Sequence, residues 1–208
     1  MRITLSMASY LRPQRTMRSI ECITNQSSNG YEALVVGDGC PFLAKILPTN
    51  ALNPYYAKAE EGGNILKIEN LDTNINGYGY HIINLNIERA KGKYFIFYAN
   101  DDIILPNHFE NYLSAIEGTD YDFVYFNSNI MEKYTRNSSL NHGQIGHSEL
   151  IIRTDFLQKM PKHTERYGHD WDLIQNMINV GAKYRKADEK PPTYIVKSLA
   201  NNREQNID

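Results

Sequence analysis

The sequence predicts an α/β protein with a largely parallel central sheet. Short apolar runs of strand length alternate with helical patterns up to residue 126. The run 94–99 is apolar at nearly every position, which is typical of a strand buried on both faces. A chain of 208 residues is long enough to bury a real core, and we expect it to form one domain.

The elements follow from this alternation in order. Residues 3–7 read as the first strand, and Pro13 suits the first turn of a helix that continues through Met17, Ile20 and Ile23 at helical spacing. Gly30 ends that helix. The next expected elements are strand 32–36, helix 51–61, strand 65–68, helix 81–90 and strand 94–99.

The second half has a different order. A helix beginning at Pro106 and strand 122–126 complete the alternation, and residues 135–147 are polar and rich in Asn, Ser and Gly. We expect a mobile loop there, with 135–146 acting as a lid. Strand 150–152, helices 155–160 and 170–180 and two short strands near 183 and 195 follow, and 201–208 reads as a loose tail.

Composition excludes several classes of function. The net charge is −2, from 22 basic and 24 acidic residues, which disfavours electrostatic binding to nucleic acid or anionic lipid. No apolar run approaches the roughly 20 residues of a membrane-spanning helix, and the first residues lack the apolar core of a signal peptide. The two cysteines make neither a disulfide framework nor a zinc cluster. We therefore expect a cytoplasmic protein.

Acidic residues follow two of the predicted parallel strands. Asp38 follows strand 32–36, and Asn100, Asp101 and Asp102 follow strand 94–99. Ligands of open α/β sheets bind at the carboxyl ends of strands, where carboxylates can bond a base or ribose or share Mg²⁺ or Mn²⁺ with phosphates. The alternative is structural, because Asp and Asn are common in turns and helix caps.

Three more residues are candidates on the C-terminal side. Asp170 opens an amphipathic helix and could be a general base or an N-cap, while Asp172 is the acid that we assign a structural role. His147 could face a ligand or a metal, although a solitary histidine usually does neither. Trp171, the single tryptophan, could stack on a sugar ring or pack in the core.

With these residues in place, the chain resembles the inverting family 2 glycosyltransferases from about residue 2 to 180. Residues 4–13 are similar to the family's opening strand and Tyr-Asn-Arg-Pro turn, and 31–40 to its "EIIVVDDGS" segment. Residues 84–94 resemble the "RNxGIxxAKGEY" run, 100–106 the Asp-x-Asp region with its downstream proline, and 169–173 "EDWDL".

The resemblance implies a fold, a reaction and a set of residue roles. The fold would be GT-A, a Rossmann-like, mostly parallel sheet flanked by helices, with 1–103 binding the nucleotide-sugar, 104–200 forming an acceptor-side subregion and 201–208 a tail. The reaction would be a metal-dependent single displacement from a nucleotide-sugar, UDP-linked by preference, with Mn²⁺ or Mg²⁺ stabilising the departing diphosphate. Ala8 and Tyr10 would border the nucleotide base, and Asp38 would form a hydrogen bond to it. Asn100 and Asp101 would lie along the ribose and diphosphate, and Asp102 would be the main metal ligand with Asp101 beside it. Asp170 would be the catalytic base, and His147 and Trp171 would lie on the acceptor side.

The sequence departs from the family pattern at several positions. Gly37 replaces the first Asp of the usual pair, and His169 replaces the Glu before the base. The arginine that commonly precedes Asn84 is Ile83 here, so Tyr78 or His81 would supply a nearby donor contact.

Two other readings remain open. A non-catalytic nucleotide-sugar or glycan-binding module would bind the donor without turnover, whereas Asp170 favours catalysis. A sugar-phosphate nucleotidyltransferase would need a Gly-rich loop after the first strand, and residues 6–13 contain no glycine. The acceptor could be a glycan, a lipid-linked or other hydroxyl compound, or a hydroxylated base in modified DNA, although the charge disfavours nucleic acid.

Overall fold

A computed structural model describes residues 1–76 and 79–197. Its strands are β1 (Ile3–Ser9), β2 (Tyr31–Gly37), β3 (Ile65–Asn70), β4 (Tyr94–Ala99), β5 (Ile103–Ile104), β6 (Phe123–Tyr125), β7 (Ser128–Ile130), β8 (Tyr134–Arg136), β9 (Leu150–Arg153), β10 (Tyr184–Lys186) and β11 (Tyr194–Val196). Its α-helices are α1 (Pro13–Thr24), α2 (Pro41–Ile46), α3 (Asn53–Glu61), α4 (Tyr80–Arg89), α5 (His108–Ile116), α6 (Thr154–Leu157) and α7 (His169–Asn179).

The central sheet has seven strands in the order β10-β6-β9-β4-β1-β2-β3. β4, β1, β2 and β3 are parallel neighbours, and β10 runs parallel to β6. β9 pairs antiparallel with both β4 and β6. The prediction of a mostly parallel α/β sheet is therefore confirmed.

Alternate residues of the central strands supply two apolar cores. In β4, Ile96 packs in one core, while Phe95 and Phe97 point to the other face and pack in the second. Helices α1, α3 and α5 contribute to the first core, and α4, α6 and α7 contribute to the second. The sheet is thus the middle layer of three, and the strand buried on both faces is the one that its continuous apolar run predicted.

A second, four-stranded sheet lies beside the first in the order β5-β11-β7-β8. A strand near residue 195 was predicted and corresponds to β11, whereas β5, β7 and β8 show no periodicity in the sequence and were not predicted. The predicted loop 135–147 is wrong at both ends. Thr135 and Arg136 belong to β8, which pairs with β7, and His147 begins a short 3₁₀ turn.

Candidate active site at the carboxyl edge of the sheet

Three parallel strands end at the same level, and the loops after them form the candidate site. Ala8 of β1 lies opposite Val36 of β2 and Ala99 of β4, so the segments after all three strands meet at one edge. The Asp38 backbone N–H donates to the Ser9 carbonyl at 2.9 Å and extends this register. Beside the edge lies a cavity of about 180 Å³, whose lining includes Ala8, Arg12, Ile83, Asn100, Asp101 and His147. Tyr10 is exposed next to the same turn.

Asp38 is buried and binds the chain that follows β3. Its carboxylate accepts hydrogen bonds from the backbone N–H groups of Ile75 at 2.9 Å and Asn76 at 3.1 Å, and it contacts His81 Nε2 at 2.9 Å. A carboxylate offers about four acceptor positions, so three of them are used here. One position remains for a base or ribose, and the predicted donor contact of Asp38 is left to experiment.

Asn100 and Asp101 form a polar wall of the cavity together with Arg12. The Arg12 guanidinium donates from Nη1 to Asp101 Oδ2 at 2.8 Å and to Asn100 Oδ1 at 3.2 Å. Arg18 of α1 fixes the backbone of the same turn, since its Nη2 donates to the Asp101 carbonyl at 3.0 Å. Asp101 is therefore a half-buried carboxylate that faces the cavity and is neutralised by one arginine.

Asp102 points away from the cavity, toward the second sheet. Its Oδ2 accepts from the Tyr194 hydroxyl at 2.5 Å, and its Oδ1 accepts from the Lys197 backbone N–H at 2.9 Å. Burial raises the pKa of Asp102 to about 6, against the opposing effect of the Tyr194 hydrogen bond. Direct metal ligation by Asp102 stays a prediction, and in this arrangement it would require the release of one of these donors.

The donor set fits a divalent metal only if the metal is shared with a ligand. Among residues 1–76 and 79–197, no group of three or more His, Cys, Asp or Glu side chains is arranged to hold a metal ion. Asp101 and Asn100 nevertheless present hard oxygen atoms to one cavity. Mg²⁺ is usually held by one or two carboxylates plus substrate phosphates, and these oxygens meet that requirement.

Asp170 lies in the first turn of α7, near the segment that carries His147. A Cβ placed on Gly146 would lie 3.8 Å from Asp170 Oδ2, so this carboxylate flanks the residue that precedes His147. Its Oδ1 accepts from the Trp171 backbone N–H at 2.9 Å. Asp172 instead pairs with Arg166, whose Nε donates to Oδ2 at 2.6 Å. Asp172 is thus engaged in a surface ion pair, and its structural role stays a prediction.

His147 joins a small cluster of imidazoles between the cavity and Asp170. Its ring stacks on Phe97 with centroids 4.4 Å apart, and the His163 and His169 rings lie 6.3 and 6.0 Å away. His163 Nδ1 and His169 Nδ1 are 2.9 Å apart. Burial, together with a smaller effect of the nearby His169, lowers the pKa of His147 to about 3, so His147 is neutral near pH 7. It could contribute a hydrogen bond to a ligand, but no charge.

Glu149 anchors the segment that follows β8. This buried carboxylate pairs with Arg136 at 2.8 Å and accepts from the Ser138 hydroxyl and the Gly146 backbone N–H, both at 2.7 Å. Residues 141–144 are exposed. His142 reaches Trp171, with ring centroids 5.7 Å apart in an edge-to-face arrangement. The predicted lid movement would therefore be confined to the residues between Ser138 and Gly146, where Glu149 anchors the segment.

Sequence reasoning missed Arg12, Arg18, Glu149, His163 and His169 as residues of this site. Arg12 could have been found, because it lies inside the turn motif 10–13 that carries the resemblance. His169 also had a signal, because it lies inside the motif 169–173. Arg18, Glu149 and His163 are brought in by tertiary packing and carry no local signal. Tyr78, predicted to contact the donor, and the tail 201–208 lie outside the described residues.

Comparison with known proteins shows which proteins the sequence and the fold of this chain are similar to. No protein-family model matches the sequence. An "Uncharacterized glycosyltransferase" of Rickettsia bellii is 25% identical over 126 residues, which is 59% of this chain and 16% of that protein. TarS of S. aureus in complex with UDP-GlcNAc superposes with a TM-score of 0.75 at 17% identity, over 98% of this chain and 60% of that one. The mannosyltransferase PcManGT of Pyrobaculum calidifontis, in complex with GDP-Man and Mn²⁺, superposes with a TM-score of 0.70 at 12% identity, over 97% of this chain and 58% of that one.

The chain has the fold of nucleotide-sugar glycosyltransferases. The predicted fold class and the resemblance to glycosyltransferases are thereby confirmed, at low sequence identity. The chain spans about 60% or less of the length of these relatives. No helix within the described residues is both long and apolar enough to cross a membrane.

Proposed function

We propose that this chain is a glycosyltransferase that moves a sugar from a nucleotide-sugar to an acceptor hydroxyl with inversion. The observation that carries the proposal is the carboxyl edge of the sheet, where a cavity lined by Arg12, Asn100 and Asp101 lies beside the segment flanked by Asp170. Ligands of open α/β sheets bind at this edge. Solved structures of the same fold contain UDP, UDP-GlcNAc or GDP-Man.

The residues have distinct roles in this proposal. Ala8 and Tyr10 border the base, Asp38 uses its remaining acceptor position for the base or ribose, and Asn100 and Asp101 lie along the diphosphate. We assign metal ligation to Asp101, because Asp102 has both oxygens bonded within the protein. A divalent ion bound there would supply positive charge to the departing diphosphate.

Chemistry at the anomeric carbon then needs one base. The acceptor hydroxyl oxygen forms a bond to the anomeric carbon as the bond from that carbon to the diphosphate oxygen breaks. Asp170 takes the hydroxyl proton, and the diphosphate leaves with the electron pair of the broken bond. The attacking and departing oxygens lie on opposite sides of the carbon, so the product has inverted configuration.

Donor binding tests the proposal without knowledge of the acceptor. Calorimetric titration with UDP, GDP, UDP-GlcNAc and GDP-Man in Mn²⁺ should give saturable binding of at least one of them. A donor present at 100 times its Kd should stabilise the fold by about 2.7 kcal/mol. If neither diphosphate nor either nucleotide-sugar binds, the proposed function is wrong. The anomeric configuration of a transferred sugar, read by NMR, tests inversion.

A further inference from the structure

The cavity holds one fixed charge of each sign among the described residues that line it. Of the described lining residues, Arg12 is the only cationic side chain and Asp101 the only carboxylate, while His147 is neutral near pH 7. These two side chains are 27% and 22% exposed, and they pair at 2.8 Å. A partly buried arginine–carboxylate pair is worth more than a surface pair, so a ligand that separates it must replace the lost contact.

Backbone geometry holds both partners in place. Arg12 precedes Pro13, the first residue of α1, which anchors its backbone where β1 passes into the helix. Arg18 bonds the Asp101 carbonyl oxygen, so the turn that carries Asp101 is held independently of the Arg12–Asp101 pair. The guanidinium can therefore leave the carboxylate without loss of the turn, and both groups would remain beside the same cavity.

A metal ion alone and a diphosphate alone each meet an unfavourable charge here. A divalent cation at Asp101 must displace or approach the Arg12 guanidinium, and a diphosphate at Arg12 must approach the Asp101 carboxylate. When both ligands bind, the ion pair between Arg12 and Asp101 is replaced by two new contacts. The metal ion then contacts Asp101, and the phosphate contacts Arg12. Each ligand therefore removes the obstacle to the other, so the two ligands bind with positive cooperativity, that is, with a favourable (negative) coupling free energy.

We propose that Arg12 is a diphosphate-binding residue, and that its ion pair with Asp101 couples metal binding to diphosphate binding. This inference rests on the proposed function, since it places the donor diphosphate and the metal in this cavity. It adds that Arg12 and Asp101 stay paired with each other until metal and diphosphate bind together.

The test is calorimetry of Arg12→Met with Mn²⁺ alone, UDP in EDTA, UDP in Mn²⁺, and uridine. We expect opposite effects on the two ligands. Mn²⁺ alone should bind several-fold more tightly, because its competitor at Asp101 is gone. UDP in Mn²⁺ should bind about 10-fold to 100-fold more weakly, because a charged hydrogen bond to phosphate is lost. Uridine, which has no phosphate, should bind as it does to the wild type.

Two variants control for folding and for charge. Arg2→Met removes an arginine from a surface pair with Glu117, before the start of β1 and far from the cavity, and should leave all four titrations unchanged. Asp101→Asn should show the reverse pattern. It should lose Mn²⁺ binding but bind UDP in EDTA more tightly than the wild type, since Arg12 is then free of its carboxylate.

Three outcomes would overturn the inference. Equal binding of UDP and Mn²⁺ by Arg12→Met and the wild type would remove Arg12 from the diphosphate site. Equal losses for uridine and UDP would give it a merely structural role. If the wild type binds neither UDP nor GDP in Mn²⁺, the proposed function fails and the inference fails with it.

Discussion

At the scale of single residues, Asp170 and Asp172 differ in what already binds them. Asp172 is engaged by the Arg166 guanidinium, whereas the Asp170 carboxylate accepts a hydrogen bond from the backbone N–H of Trp171. We predict that Asp170→Asn lowers transfer by about 10²-fold to 10⁴-fold, the usual effect of losing a general base. Donor affinity and the free energy of unfolding should change little, because asparagine keeps the acceptor for that N–H.

Asp172→Asn is the matched control for this prediction. It should keep the transfer rate, and its free energy of unfolding should change little, because an exposed ion pair contributes little to stability. Rates with a functioning acceptor, or donor hydrolysis in its absence, provide the measurement. Loss of activity in Asp172→Asn with retention in Asp170→Asn would reverse the assignment of the base.

Leu11 adopts a backbone conformation that leucine disfavours. Its φ is 48°, in the left-handed region, at the turn between β1 and α1. Asparagine tolerates this conformation because its short polar side chain bonds locally, so Leu11→Asn should raise the free energy of unfolding by about 1 kcal/mol. Urea denaturation measures the change. Leu11→Ala keeps the strained conformation without asparagine's local bonding and should give no gain; a gain in the alanine variant would contradict the explanation.

At the scale of elements, predictability follows periodicity and length. The strands β1 to β4 and the helices α1, α4 and α7 were predicted within a few residues, because each has a sustained apolar pattern or a proline or glycine at its end. The six-residue helix α2 and the short strands β5, β7 and β8 were missed, since they are fixed by neighbours rather than by their own sequence. The residues of the candidate site were likewise predictable only in part. Acids after strands were placed correctly at the sheet edge, but the partners of Asp38 and Asp102 depend on tertiary packing.

Helix α5 contains a fully buried histidine that predicts an acid-sensitive fold. His108 Nδ1 contacts the Thr193 hydroxyl at 2.9 Å, and burial lowers the pKa of His108 from 6.5 to about 3. Below pH 6.5 the unfolded chain takes up this proton and the folded chain does not. The stability contribution of the neutral imidazole is therefore complete above pH 6.5 and is lost progressively as the pH falls toward 3, with about 2 kcal/mol gone at pH 5.

Substitution of His108 isolates this effect from the other histidines. His108→Asn can keep the bond to Thr193 and has no proton to gain, so its free energy of unfolding should fall less between pH 7 and pH 5 than that of the wild type. Urea denaturation at the two pH values gives the difference directly. Parallel pH profiles for the two proteins would show that His108 is not responsible.

At the scale of the whole molecule, the two ends of the parallel strands have separate tasks. The candidate site occupies the carboxyl ends of β1, β2 and β4, where the segments 8–12, 38 and 100–101 meet. A buried polar network ties the amino ends of the same three strands together. The motif resemblance did not show at which end of the strands each motif lies. The run 84–94 resembles a family motif, but its residues Lys91 and Gly92 belong to the amino-end network and not to the cavity.

Glu32 is the centre of that network, and its removal should affect stability without affecting the site. Its fully buried Oε1 accepts from the Thr4 hydroxyl at 2.6 Å and from the Lys91 backbone N–H at 2.5 Å, while the Gly92 N–H donates to Thr4 at 2.8 Å. Glu32→Ala leaves the Thr4 hydroxyl and the Lys91 N–H without their buried acceptor, so we predict a loss of about 3 kcal/mol in the free energy of unfolding. Donor affinity should be unchanged, because Glu32 does not line the cavity and lies about 17 Å along β2 from Gly37, where the loop that carries Asp38 begins.

Two variants complete the Glu32 experiment. Glu32→Gln keeps an oxygen for both donors and should recover most of the lost stability. Glu69→Ala removes an exposed carboxylate of β3 that pairs with Arg89, and it should cost at most about 1 kcal/mol. The prediction distinguishes the amino ends of the strands, which contribute stability, from the carboxyl ends, which form the candidate site. If Glu32→Ala weakened UDP binding as strongly as it lowered stability, the amino-end network and the site would act as one unit, and the division of tasks between them would be wrong.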